Sequence, residues 1–217
     1  QPEASPEPSA AINREAIDYR GPGREPVHDL AGPEIRIGLL VPLRGPRKAE
    51  GEALLAAAQI AMEEESAKPL PDGRRLTLVW RDESGLWGRA SSEIVNLVFE
   101  DQAVALVTSA DGAAAHLAEQ VGNRIGVPVL TLASDSTTTQ INIPWFFRVA
   151  PNDATQARAF AEDIYRQRGF TRVALVTESH HDGRVGGDEF EKAARQFGVA
   201  QPQRVVVSLP LRDVQPL

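Results

Sequence analysis

The sequence predicts an α/β fold built on parallel, doubly wound sheets. Three observations carry this. Short apolar runs alternate with longer stretches whose apolar residues recur every three or four positions. The apolar runs are nearly continuous, as strands buried on both faces must be. Three helical stripes end at a glycine, namely Gly126, Gly169 and Gly198, and an apolar strand follows each. Such alternation puts helices on both faces of a parallel sheet.

The elements follow in order. Residues 1–33 carry Pro2, Pro6, Pro8, Pro22, Pro26 and Pro33 among Gly21, Gly23 and Gly32, and read as a linker. One helical turn at 10–19 would place Ile12, Ala16 and Tyr19 on one face. A strand at 35–41 stops at Pro42 and Gly45. A helix at 52–65 presents Leu55, Ala58 and Met62. Pro69, Pro71, Asp72 and Gly73 make a turn before a strand at 76–81. Ala90, Ile94, Leu97 and Val98 form the next helical stripe, followed by a strand at 104–107. Ala114, Leu117, Ala118, Val121 and Ile125 form another, followed by a strand at 127–130. Residues 131–144 are a Ser/Thr-rich loop, and 145–149 a short strand. A helix at 153–168 would turn Ala157, Phe160, Ala161 and Ile164 inward. The chain then alternates a strand at 172–177, a helix at 185–197 carrying Phe190, Ala193, Ala194 and Phe197, and a strand at 204–209.

Composition narrows the function. At 217 residues and 42% hydrophobic, the chain can bury a core. No stretch of 18 apolar residues suits a transmembrane helix. A net charge of −7 without a Lys/Arg cluster argues against a nucleic-acid partner. The absence of cysteine removes disulfides, thiolate catalysis, Fe–S clusters and Cys-based zinc sites. The chain opens on Gln1 and its one methionine is Met62, so it reads as processed, trimmed or a fragment.

Chemical motifs are sparse. No Walker A pattern and no G-x-S-x-G elbow occur. Gly183, Gly186 and Gly187 lack dinucleotide-loop spacing. His180 and His181 are adjacent and would point apart, while His28 and His116 are isolated in sequence. No cofactor, metal site or enzymatic activity is expected on these grounds. Asp82 and Glu83 end a strand, where carboxylates either line a ligand edge or face solvent in a turn.

A family resemblance rests on five segments. Ile35-Arg36-Ile37-Gly38-Leu39-Leu40-Val41-Pro42-Leu43-Arg44-Gly45-Pro46 opens with a strand running into Pro, Leu and Gly-Pro. Gly51 precedes an Ala-rich helix through Ala61-Met62-Glu63-Glu64. The strand starting at Leu76 has an acidic end at Asp82. Gly126-Val127-Pro128-Val129-Leu130 joins a helix to a strand. Trp145-Phe146-Phe147-Arg148-Val149-Ala150-Pro151-Asn152-Asp153 is the most specific. In this order they resemble the type I periplasmic solute-binding proteins of ABC transporters, in particular the branched-chain amino-acid (Leu/Ile/Val) receptors. The family's chains are longer and cross between lobes more than once, so this chain looks truncated.

That resemblance implies a first α/β lobe at 34–149 and a partial second lobe at 150–217, with a ligand held between them. It implies an extracytoplasmic setting, a small polar ligand such as an amino acid or amide, and a membrane permease or sensor as partner. By position it assigns ligand contacts to Ser109, Ala110, Asp111, Gly112, Ser134, Asp135, Ser136 and Asp182. Glu50 stands where the family has an aromatic on the ligand, and Asp182 where a closing Tyr stands. Asp111, Asp135, Glu50 and Asp182 would then ring the pocket with acid, favouring neutral polyhydroxy, amide-like or cationic ligands. Asp111, Ser134 and Asp135 equally read as helix N-caps. Trp87 and Trp145 read as packing residues. A second reading is a protein-interaction module that has lost its ligand.

Overall fold

The computed structural model describes residues 32–66, 70–84, 88–140 and 143–208. The expected linker up to residue 31, the turn at 10–19 and Trp87 lie outside the described residues.

The chain lays its first strand, β1 (Glu34–Val41), inside a sheet, one place in from its edge. Burial rises along β1, and Leu39, Leu40 and Val41 are almost wholly enclosed. Helix α1 (Lys48–Ser66) leads to β2 (Arg75–Asp82) on one side. Helix α2 (Arg89–Phe99) crosses back to β3 (Ala103–Thr108) on the other. Helix α3 (Gly112–Ile125), β4 (Val129–Thr131) and β5 (Phe146–Arg148) extend the sheet outward. Its order is β2-β1-β3-β4-β5 and every pairing is parallel. Right-handed crossovers therefore put α1 on one face and α2 with α3 on the other.

The second unit is smaller. Helix α4 (Asp153–Ala161) continues into a π-helical turn, Glu162–Gln167. Then β6 (Ala174–Glu178), α5 (His181–Gln196) and β7 (Gln203–Val207) follow, with β6 and β7 paired in parallel. Its core joins Ala157, Ala161 and Tyr165 to Phe190, Ala193 and Ala194. Val176 and Val206 remain 57% and 55% exposed, so the strands are not covered on both sides.

Sequence periodicity located these elements for physical reasons. The α2 stripe Ala90, Ile94, Leu97 and Val98 is buried whole, packed with Leu40 and Leu106 in the main core. Gly126, Gly169 and Gly198 have φ of 70°, 69° and 67°, the left-handed conformation that stops a helix and is open to glycine without steric cost. Three expectations need correction. Phe160 is 60% exposed, because α4 packs along a narrow ridge of Ala157, Ala161 and Tyr165. Helix α1 begins at Lys48, four residues earlier than its apolar stripe suggested. Helix α5 begins at His181, not at 185, so Gly183 joins Gly186 and Gly187 inside it. At Gly187 a Cβ would come within 2.6 Å of the Arg204 guanidinium, which donates to the Arg184 carbonyl at 3.1 Å. Close packing here overrides the low helix propensity of glycine.

Two substitutions test this account. Ile94→Ala should lower the unfolding free energy by about 3 kcal/mol through the cavity it leaves. Phe160→Ala should cost about 0.5 kcal/mol or less, as an exposed side chain. Urea denaturation of both variants measures the difference.

Candidate functional site

Loops leaving β1 and β3 part to opposite faces of the sheet. This divergence is the switch point where open α/β sheets hold ligands. A cleft of about 550 Å³ lies there. The loop after β1 contributes Arg44, Gly45 and Arg47; beyond β2 come Glu83 and Arg89, and beyond β3 comes Asp111.

Asp82 and Glu83 are neighbours with opposite fates. The Asp82 carboxylate accepts from the Leu43 and Ser84 N–H groups at 2.9 Å and from Arg44 Nε at 2.5 Å. Burial opposes its charge, but the donors from Ser84, Leu43 and Arg44 outweigh burial and hold it well below the usual carboxylate range. It fastens the β1 loop to the end of β2. Glu83 accepts one short bond, from Ser109 Oγ at 2.5 Å, while its Oε2 is buried and has no partner among the described residues. Burial pushes the Glu83 carboxyl up to about 7, and Asp111 adds to the shift against the Ser109 bond and Arg47.

Arg47 sits among these acids. It donates to both Glu50 oxygens, at 3.0 and 2.8 Å, and to Asp111 Oδ2. The expected acidic ring is therefore corrected: Glu50 and Asp111 are bridged by a guanidinium. Arg47 was missed because a cation in a βα loop has no signature without its partners.

The expected site residues have distinct placements. Asp111 caps α3, accepting from Ala114 N–H at 2.8 Å. Buried Ser109 lies under it and accepts its N–H at 3.1 Å. Ala110 is exposed beside them. Gly112 donates its N–H to Asp182 Oδ1 at 3.0 Å. A Cβ on Gly112 would run into that carboxylate, so glycine permits the approach. Asp182 keeps much of its surface open. Burial of its carboxyl end, with Asp111 nearby, still raises its pKa against the Gly112 N–H, Arg47 and His181. Ser134 and Ser136 turn elsewhere. The Ser134 carbonyl accepts from Asp153 N–H at 2.8 Å and Ser136 Oγ from Ala154 N–H at 3.1 Å, pinning the start of α4 to the first unit.

Asp135 is 1% exposed and lies outside the open cleft lining. Its Oδ1 accepts from the N–H and hydroxyl of Thr137, at 2.8 and 2.7 Å. Its Oδ2 faces His181 Nε2 at 2.6 Å and His116 Nε2 at 3.1 Å. Burial works against this charge, but His181, Thr137 and His116 hold the carboxyl below its ordinary value. His116 is thus not isolated; its ring meets His181 edge-on, with centroids 5.8 Å apart. His180 turns away toward Glu178. Arg148, in the most specific sequence segment, donates to Thr139 Oγ1 at 2.6 Å and to the Asp135 carbonyl at 3.3 Å.

Comparison with known proteins agrees with this architecture. A family model described as periplasmic binding protein matches residues 34–217. Glutamate receptor 3.4 of Arabidopsis thaliana is 28% identical over 138 residues, 63% of this chain and 14% of that protein. The Leu/Ile/Val-binding protein BraC3 of Rhizobium johnstonii is 24% identical over 172 residues, 79% of this chain and 47% of that one. The leucine-binding protein LivK of Thermotoga maritima superposes with a TM-score of 0.73 at 24% identity, over 82% of this chain and 50% of its own. The chain spans about half the length, or less, of these three proteins. With the family model covering both units, the chain belongs to the periplasmic binding protein family.

Proposed function

We propose that this chain forms the ligand-holding part of an extracytoplasmic solute-binding protein, which takes a small polar ligand between its two α/β units and hands it to a permease or sensor. The observation that carries this reading is Glu83, in a cleft lined by the first unit and met from the second where Asp182 accepts from Gly112, next to the cleft residue Asp111. A buried carboxylate oxygen without a partner among the described residues, at a cleft on the switch point, is a polar group waiting for a donor. An ammonium or amide N–H would supply it. Arg89, whose own contacts to Asp82 and Glu93 are 3.4 and 3.5 Å long, is placed to meet a carboxylate. The mixed charge of the cleft fits an amino acid or its amide. The names of the bacterial relatives, a Leu/Ile/Val-binding and a leucine-binding protein, point to the same class.

One observation favours the interaction-module reading. The Asp182 carboxylate already occupies the N-terminal N–H of α3, a position suited to a ligand's anion. A self-filled junction needs no solute. The two readings separate in the full-length protein. A thermal-shift panel of amino acids and amides should raise Tm by several degrees at 100 Kd, equivalent to about 2.7 kcal/mol. No shift, together with a stoichiometric protein partner from envelope extracts, would overturn the solute reading.

Glu83 also sets a pH signature. Its folded value of about 7 exceeds the ordinary 4.5, so the native state holds an extra proton between them. Its contribution to stability is present below pH 4.5 and is lost as pH rises through 7, a change of up to about 3 kcal/mol. Without ligand, Glu83→Gln should therefore melt higher than wild type at pH 8 and equally at pH 4. A ligand amine instead favours the charged carboxylate. Its Kd should tighten from pH 6 to 8 in wild type and change little in Glu83→Gln, as calorimetric titration would show.

A further inference from the structure

We infer that His116, Asp135 and His181 form a binding site for a divalent transition-metal ion of the zinc type, shared between the two units. Asp135 Oδ2 and one nitrogen from each histidine gather within 4.8 Å of one another. Two imidazoles and one carboxylate are a donor set suited to zinc and its neighbours, and a poor one for magnesium or calcium, which prefer oxygen. Around a tetrahedral zinc such donors stand about 3.3 Å apart. The spacings of 3.1 and 2.6 Å from Asp135 Oδ2 need only a slight opening of the side chains.

A second observation supports the site independently of its donors. Buried Glu119, 4% exposed, lies one turn along α3 and faces His116 Nδ1 at 3.2 Å. A carboxylate on the far ring nitrogen fixes the tautomer and aims Nε2 at a metal, the usual outer support of a histidine ligand. Thr137 holds the other side, with Oγ1 at 2.8 Å from His116 Nε2 and a bond to Asp135 Oδ1. Three protein donors leave the fourth position to water or the Thr137 hydroxyl. His116 and Asp135 belong to the first unit, while His181 opens α5 of the second. A bound ion would therefore join the units, at a place separate from the Glu83 cleft.

The test uses untagged full-length protein, stripped with a chelator and titrated with Zn²⁺ against a chromophoric competitor. One zinc per chain is expected, with a rise in Tm that Mg²⁺ does not reproduce. His116→Ala and His181→Ala should each weaken binding tenfold or more, and Glu119→Gln by roughly tenfold. His180→Ala, next in sequence but turned away, should bind as wild type. Because variants at Asp135 endanger folding, wild-type protein loaded with Co²⁺ gives a second readout, the visible absorption of a four- or five-coordinate ion. No zinc binding by wild type, or unchanged binding in His181→Ala, overturns the inference. Solute binding that persists in His116→Ala separates this site from the proposed function.

Discussion

A single carboxylate taken out of water organises the junction of the two units. Asp135 has almost no exposed surface, and a bare charge there would be prohibitively costly. Its partners make it tolerable. The Thr137 N–H and hydroxyl hold one oxygen and two histidine rings face the other, while Thr138 and Arg148 donate to its main-chain carbonyl. These partners come from α3, from the turn after β4, from β5 and from α5. The carboxylate thus joins three separate parts of the chain, and the Asp135 carbonyl ties in β5 as the fourth. Removing one partner would leave the charge short of a donor, which is why such groups are more disruptive to break than to replace whole.

The Glu83 cleft works by the opposite logic. Asp82 is saturated with donors and fastens the fold; Glu83, one residue on, is left one donor short at the edge of the cleft. Arg47 moderates the acids around it without reaching that oxygen. A cleft that is electrically mixed can orient a zwitterion, because each end of the ligand meets its own sign of charge.

What the sequence made legible followed local physics. Apolar periodicity found the α2 face, and helix-ending glycines marked where strands begin, since both depend on residues within a few positions of each other. The resemblance pointed to Asp111, Gly112, Asp135 and Asp182, and the chain brings Gly112 against Asp182. The pairing of His116 with His181 through Asp135 was not legible. The three residues are separated by 19 and 46 positions, and their meeting depends on α5 starting four residues earlier than its apolar stripe. Arg47 escaped for the same reason, as Asp111 lies 64 residues away. Phe160 shows the converse error: helical phase placed it on the inner flank, but the ridge it borders is too narrow to cover it.

The half-covered β6–β7 pair has a consequence for the chain's behaviour in solution. Val176 is in register with Val205 and Val206 with Thr177, so the two exposed valines leave apolar side chains on opposite faces of a pair whose strand edges can take up another chain. The net charge of −7 opposes that encounter by mutual repulsion. Added salt shortens the reach of the repulsion to about 8 Å at physiological strength and leaves the apolar attraction intact. Colloidal stability of this chain is therefore an ionic-strength variable, set by a balance between surface charge and the uncovered valines of the β6–β7 pair.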